Sequence, residues 1–151
     1  MIGGQDLQTL IVELSQRLAQ IETRYADAQE PPFAPAEMTM LRSVVREGAV
    51  RMSDLAASVK LPQSSATNVA DRLCARDLVE RKRPETNRRT VLLSATRKAR
   101  RLMKKIEAEQ LALCDELVAG LASEQAELLR SLLGQLTESR ATSEPEKRND
   151  D

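Results

Sequence analysis

Apolar residues recur along this chain in stripes at helical spacing, separated by short polar or proline-marked breaks. Leu7, Leu10, Ile11, Leu14, Leu18 and Ile21 step by three or four with one adjacent pair, one face of an amphipathic helix over residues 5–29. Pro31 and Pro32 end that pattern, because proline lacks the amide hydrogen and restricts the residue before it. A second helix is predicted from about Pro35, with Met38, Leu41, Val44 and Val45 inward and Gly48 at its end. Residues 53–59 predict a short helix with Ser53 as cap, Asp54 in its first turn, and Leu55, Ala56 and Val59 inward. After a turn at Lys60-Leu61-Pro62, residues 63–76 predict a helix that buries Ala66, Val69, Ala70 and Leu73 behind a polar first turn.

The period then changes. Leu78 to Arg83 reads as a strand, Pro84 to Asn87 carries turn residues, and Arg88 to Ser94 reads as the returning strand of a β-hairpin. Helical spacing resumes over residues 96–119 through Ala99, Leu102, Ile106, Leu113 and Leu117, and Gly120 interrupts it. Ser123 is the expected cap of a last helix lined by Leu128, Leu129, Leu132, Leu133 and Leu136. Residues 141–151 are polar and expected to be disordered. Helix, short helix, turn, polar-fronted helix and basic hairpin, in that order, predict a mainly α fold with a small β-hairpin wing: a winged helix-turn-helix.

Composition narrows the chemistry. The 151 residues suit one compact unit, and 41% hydrophobic with 30% charged residues is a globular balance. Histidine is absent, which removes histidine metal ligands, histidine general bases and histidine pH sensing. No phosphate-binding glycine loop or metal motif appears, so neither an enzyme nor a cofactor is expected. Aromatic residues are Tyr25 and Phe33 alone, too few for a base-stacking platform on RNA or single strands. Cys74 and Cys114 form neither a disulfide framework nor a zinc set, and a reducing, cytoplasmic setting is expected. No apolar run approaches a membrane span, and the first basic residue is Arg17, so no secretory signal is expected.

The formal net charge of zero hides a strong partition. Residues 1–70 carry a net −2, residues 71–105 a net +9, and residues 106–151 a net −7. A block of +9 suits a polyanion, whose condensed counterions are released on binding, although a solvated basic face balanced by acidic helices has the same count. The local architecture decides for double-stranded DNA. A helix fits the major groove with its N-terminal side chains at the base edges, and here those are Gln63, Ser64, Ser65, Thr67 and Asn68. Gln and Asn can pair bidentately with adenine. Arg72, one turn on, is expected at the margin on a phosphate or base edge. Around the hairpin tip lie Arg81, Lys82, Arg83, Arg88 and Arg89, and an arginine on a thin loop suits a narrow minor groove. Of these Arg83, Arg88 and Arg89 are the wing candidates, while Arg81 is free to pair with a carboxylate and hold the wing.

Asp54-Leu55-Ala56, the run from Ser64 to Leu73, Asp77-Leu78-Val79-Glu80-Arg81, Asn87-Arg88-Arg89 and Ser94-Ala95-Thr96 together resemble the MarR family of bacterial and archaeal transcriptional regulators. The resemblance runs from about Met52 to Ala99, with compatible helices across residues 5–140. Asn87, Ala95 and Ala99 replace the Asp, Leu and Gly of the family's wing signature. Asp77 stands where a Gly commonly ends the recognition helix, which implies left-handed geometry there.

The resemblance implies a homodimer built from N- and C-terminal dimerisation helices. The divisions are then residues 1–34 for the N-terminal helix and linker, 35–97 for the DNA-binding lobe, 98–140 for the C-terminal helices and 141–151 for the tail. It implies a repressor on a pseudo-palindromic operator, released by a small aromatic or phenolic acid. Tyr25, Phe33, Met38, Met40 and Arg42 are candidates for the effector cleft, each also readable as ordinary packing. Arg72 and Arg76 stand near Cys74, where cations can lower a thiol pKa, but Cys74 and Cys114 are expected to be inert small hydrophobes rather than redox sensors. The competing reading is a winged-helix module that binds protein partners without specific DNA binding.

Overall fold

The computed structural model describes the backbone of residues 4–83 and 90–141 and the side chains of residues 6–83 and 90–137. The element order is α1 (Gly4–Asp27), α2 (Pro35–Glu47), β1 (Val50–Arg51), α3 (Met52–Ser58), α4 (Gln63–Ala75), β2 (Val79–Lys82), β3 (Leu92–Ala95), α5 (Arg97–Val118) and α6 (Ser123–Ala141). It is the helical fold with a small antiparallel sheet that the pattern predicts. The chain divides into two units, one ending at Leu111 and one beginning at Ala112.

In the first unit, α2, α3 and α4 pack around a core of Met40, Leu41, Val44, Leu55, Leu73 and Leu93, all fully buried. Ala56, Ala66 and Ala70 are also buried, and side chains this small let α3 and α4 lie close. Both helices end alike. Asp77 (φ 58°) follows α4, its N–H donating to the Cys74 carbonyl and the Leu78 N–H to the Leu73 carbonyl. Lys60 (φ 55°) follows α3, its N–H donating to the Ala57 carbonyl and the Leu61 N–H to the Ala56 carbonyl. This is the paired-bond termination that a left-handed residue makes available. Asp77 therefore adopts the geometry expected of it, and Gly48 (φ 83°) ends α2 as predicted.

The sheet has strand order β1-β3-β2, antiparallel throughout, with Val50 opposite Leu93, Val79 opposite Ala95, and Arg81 opposite Leu93. Strand β1 was not expected. Two residues show no alternation, and they pair only because Gly48 turns the chain back beside β3. The returning strand is shorter than residues 88–94: it is Leu92–Ala95, with Thr90 and Val91 outside it. The turn at residues 84–87, Arg88, Arg89 and the tail from residue 142 lie outside the described residues.

Two caps are corrected. α3 begins at Met52 with Arg51 at the capping position, and Ser53 Oγ instead donates to Asp54 Oδ1 at 3.3 Å. Ser53 thus lies inside the first turn, because β1 delivers the chain directly into the helix. α6 is flanked by Ala122, whose N–H donates to Gln125 Oε1 at 2.9 Å, so Ser123 is the first helical residue. α1 ends at Asp27, ahead of the prolines.

Exposed apolar residues are concentrated on two helices. In the first unit α1 exposes Leu7, Leu10, Ile11 and Leu14; in the second, α6 exposes Leu128, Leu129, Leu132, Leu133 and Leu136. Among the described residues no helix is long and apolar enough to cross a membrane.

Candidate nucleic-acid interface

Helix α4 opens directly from Pro62, with no side chain bonded to its N-terminal amides and no acid in its first turn. Its N-terminal end is therefore a positive end of aligned peptide dipoles. Burial of Ala66, Val69, Ala70 and Leu73 turns the opposite face outward. Gln63, Ser64, Asn68 and Arg72 are exposed, while Ser65 and Thr67 are half-buried. Thr67 Oγ1 donates to the Gln63 carbonyl at 2.9 Å, which fixes its rotamer.

Beside this end lies a crevice of about 740 Å³, lined by Gln63, Thr67, Arg51, Ser53, Arg81 and Arg83 together with Met52, Thr90 and Val91. Recognition-helix and wing candidates thus share one surface with three guanidinium groups. Arg51 was not singled out from sequence; it stands alone in the chain, and only the pairing of β1 with β3 brings it here. Arg83 is exposed at the end of β2, and Arg88 and Arg89 lie outside the described residues.

The wing is tied back to the helix. Arg81 donates to Asp71 Oδ1 at 2.7 Å, the carboxylate partner anticipated for it. Glu80 accepts from Lys82 and, at 3.2 Å, from Ser94 Oγ. Those two hydrogen bonds, with the charges of Lys82 and Arg100, hold its carboxyl below the ordinary range. Thr96 Oγ1 donates to the Asp77 carbonyl at 2.8 Å and accepts from the Ala99 N–H at 3.2 Å. One hydroxyl therefore joins the end of α4 to the start of α5.

Arg72 sits differently from a free phosphate contact. Its Nε lies 3.4 Å from Glu37 Oε1, and Arg76 Nε lies 3.6 Å from the same oxygen. Glu37 is buried, and its other oxygen accepts from the Ala34 N–H at 2.8 Å. Arg76 also donates to the carbonyls of Pro31 (2.6 Å) and Pro32 (3.4 Å), and its guanidinium lies 4.7 Å from the Phe33 ring centroid. A buried carboxylate thus clamps the recognition helix to the α1–α2 linker.

The same geometry bears on the Cys74 thiol. Burial pushes the Cys74 thiol up, the charge of Arg81 opposes that, and Arg72 and Arg76 are turned to Glu37. Cys114 is exposed.

Of the effector candidates, Phe33, Met38 and Arg42 edge one cavity, while Tyr25 and Met40 do not line it. Phe33 and Met38 are buried and Met40 is fully so, while Tyr25 is half-buried and donates its hydroxyl to Glu109. Arg42, paired with Glu22, borders two small cavities of about 300 and 380 Å³. The first is also edged by Phe33 and Met38, the second by Met103 and Gln110.

Residues 33–91 match the model of the MarR family. Solved structures share its fold. FabT of Streptococcus pneumoniae, solved in complex with DNA, is 17% identical, with 94% of this chain and 100% of that one covered at a TM-score of 0.77. A MarR family protein of Bacillus stearothermophilus is 21% identical, covering 89% and 90% at 0.75. NadR, solved in complex with 4-hydroxyphenylacetate, is 23% identical, covering 88% and 90% at 0.59. Comparison with curated proteins gives no match. The matched MarR segment holds α2 to β2, and so both Arg51 and the polar end of α4.

Proposed function

We propose that this protein is a sequence-specific regulator of transcription that binds double-stranded DNA. The observation that carries the reading is the shared surface of Gln63 and Thr67 with Arg51, Arg81 and Arg83. Amide and hydroxyl groups at an uncapped helix end can read base edges, and the flanking guanidinium groups can neutralise phosphates. The FabT complex with DNA supports the same use of this fold. Gln63, Ser64, Ser65, Thr67 and Asn68 read the major groove. Arg83, Arg88 and Arg89 meet the backbone or minor groove, and Arg72 braces the helix through Glu37.

The working form is a homodimer, cytoplasmic, with the apolar faces of α1 and α6 buried against a second copy. Two-fold symmetry places two recognition helices about 34–36 Å apart, one DNA turn, so the operator is a pseudo-palindrome. The protein acts as a repressor, and a small aromatic acid releases it by binding beside Arg42 with preference for the non-binding arrangement. The NadR complex with 4-hydroxyphenylacetate is the support for that ligand class.

Selection from a randomised duplex library tests the reading. Enrichment of one motif repeated in inverted orientation is expected, and the Asn68→Ala variant should relax one position of each half-site by about 1–3 kcal/mol. A library that emerges unenriched would rule out sequence-specific recognition.

A further inference from the structure

Helix α5 carries its charges in the wrong order for a helix in isolation. Arg97, Lys98, Arg100, Arg101, Lys104 and Lys105 take six of its first nine positions, whereas Glu107, Glu109, Asp115 and Glu116 follow. Cations at the N-terminus oppose the peptide dipole, and acids towards the C-terminus do the same. Within the basic run, side chains three and four apart repel one another: Arg97 with Arg100 and Arg101, Lys98 with Arg101, Arg100 with Lys104, and Arg101 with Lys104 and Lys105. At about 100° per residue the six fall on one arc of roughly 160°. The remaining face is Ala99 and Ile106, both buried, with Leu102 and Met103 packed on the core.

All six cations are exposed. Among the described residues no carboxylate forms an ion pair with any of them within 4 Å, and only Lys98 has a hydrogen-bond partner, the Arg76 carbonyl at 2.9 Å. That bond joins the basic face to the end of the recognition helix. Arg100 lies within electrostatic range of Glu80 on β2, the wing strand. A self-repelling surface continuous with the helix and wing is relieved by an external polyanion.

We infer that the exposed face of α5 over residues 97–105 is a second track for the phosphate backbone of duplex DNA, separate from the base-reading end of α4. The inference rests on the DNA-binding reading above. Nine helical residues span about 12 Å, and duplex DNA presents one charge per about 1.7 Å of axis. On one strand that is one phosphate per about 3.4 Å, so the face meets about three or four phosphates and reads no sequence. It adds affinity and salt dependence equally for every duplex, and it lowers the stability of the unbound protein.

The test compares the full chain with a fourfold variant, R97Q, R101Q, K104Q and K105Q, on the selected operator, a random DNA duplex and an RNA duplex across a salt series. Removing one phosphate-neutralising cation flattens the slope of log affinity against log salt by about 0.9, so a slope shallower by about two to four is expected on both DNAs. Affinity at low salt should fall about ten- to a hundredfold, the operator-to-random ratio should stay fixed, and the unbound variant should melt about 3 °C or more higher as the repulsion is relieved. The single variants R101Q and K104Q, each flattening the slope by about 0.9, keep the test sharp should the fourfold variant fold poorly. Unchanged slope and affinity on both DNAs would overturn the inference. A larger loss on RNA than on DNA would overturn its assignment to DNA. Loss on the random duplex by a parent that prefers no sequence would uphold this track while contradicting the sequence-specific reading.

Discussion

Two residues end the helices of the helix-turn-helix at a cost that glycine would not carry. Asp77 and Lys60 end α4 and α3 in left-handed geometry, where a Cβ crowds the following carbonyl. Asp77→Gly and Lys60→Gly should each stabilise the protein by about 0.5–1 kcal/mol in urea titrations, and Asp77→Val should destabilise it by more than that. The Asp77 conformation was legible through the family resemblance, which sets a Gly at that position. Glu37 was not legible. In sequence it flanks the apolar stripe of α2 and reads as a solvated residue, since its partners Arg72 and Arg76 lie a helix-turn-helix away. In the fold it is 2% exposed between them. Glu37→Ala leaves Arg76 without its buried counter-charge and should cost about 3 kcal/mol by equilibrium denaturation. A destabilisation below about 1 kcal/mol would remove it as the clamp.

Elements are positioned by short links whose energies differ from their functional weight. The Arg81–Asp71 bridge joins wing to helix but is substantially exposed on both sides, so Asp71→Asn should change stability by less than about 1 kcal/mol. Arg51→Ala and Arg83→Ala, which remove guanidinium groups from the crevice, should leave stability within about 0.5 kcal/mol and weaken DNA binding on every duplex, as filter binding at two salt concentrations would measure. Helices and hairpin strands were readable because their periods differ, about 3.6 against 2. β1 was not, since two residues carry no period, and with it went the role of Arg51. The serine caps at 53 and 123 failed for a related reason: a polar residue one position inside a helix has the same composition as a cap, and the entering chain decides between them.

At the scale of the whole molecule, charge and apolar surface both point outward. The first unit exposes Leu7, Leu10, Ile11 and Leu14 on α1, and the second exposes five leucines on α6. Contiguous apolar faces of this kind mark association surfaces. Sedimentation at micromolar concentration should give a dimer mass, and Leu132→Glu with Leu136→Glu should give a monomer; a monomeric parent would remove both the dimer and the two-fold operator. The zero net charge says nothing of this, because the basic block and the acidic C-terminal third cancel only in the sum. The measurement that tests the central claim most directly is fluorescence-anisotropy titration of the protein with duplex DNA from upstream of its own coding sequence, against a random duplex of equal length at two salt concentrations. The account predicts a preference of about a thousandfold or more for the upstream DNA. Equal, weak binding to both duplexes would contradict it, and would turn the winged helix towards protein partners.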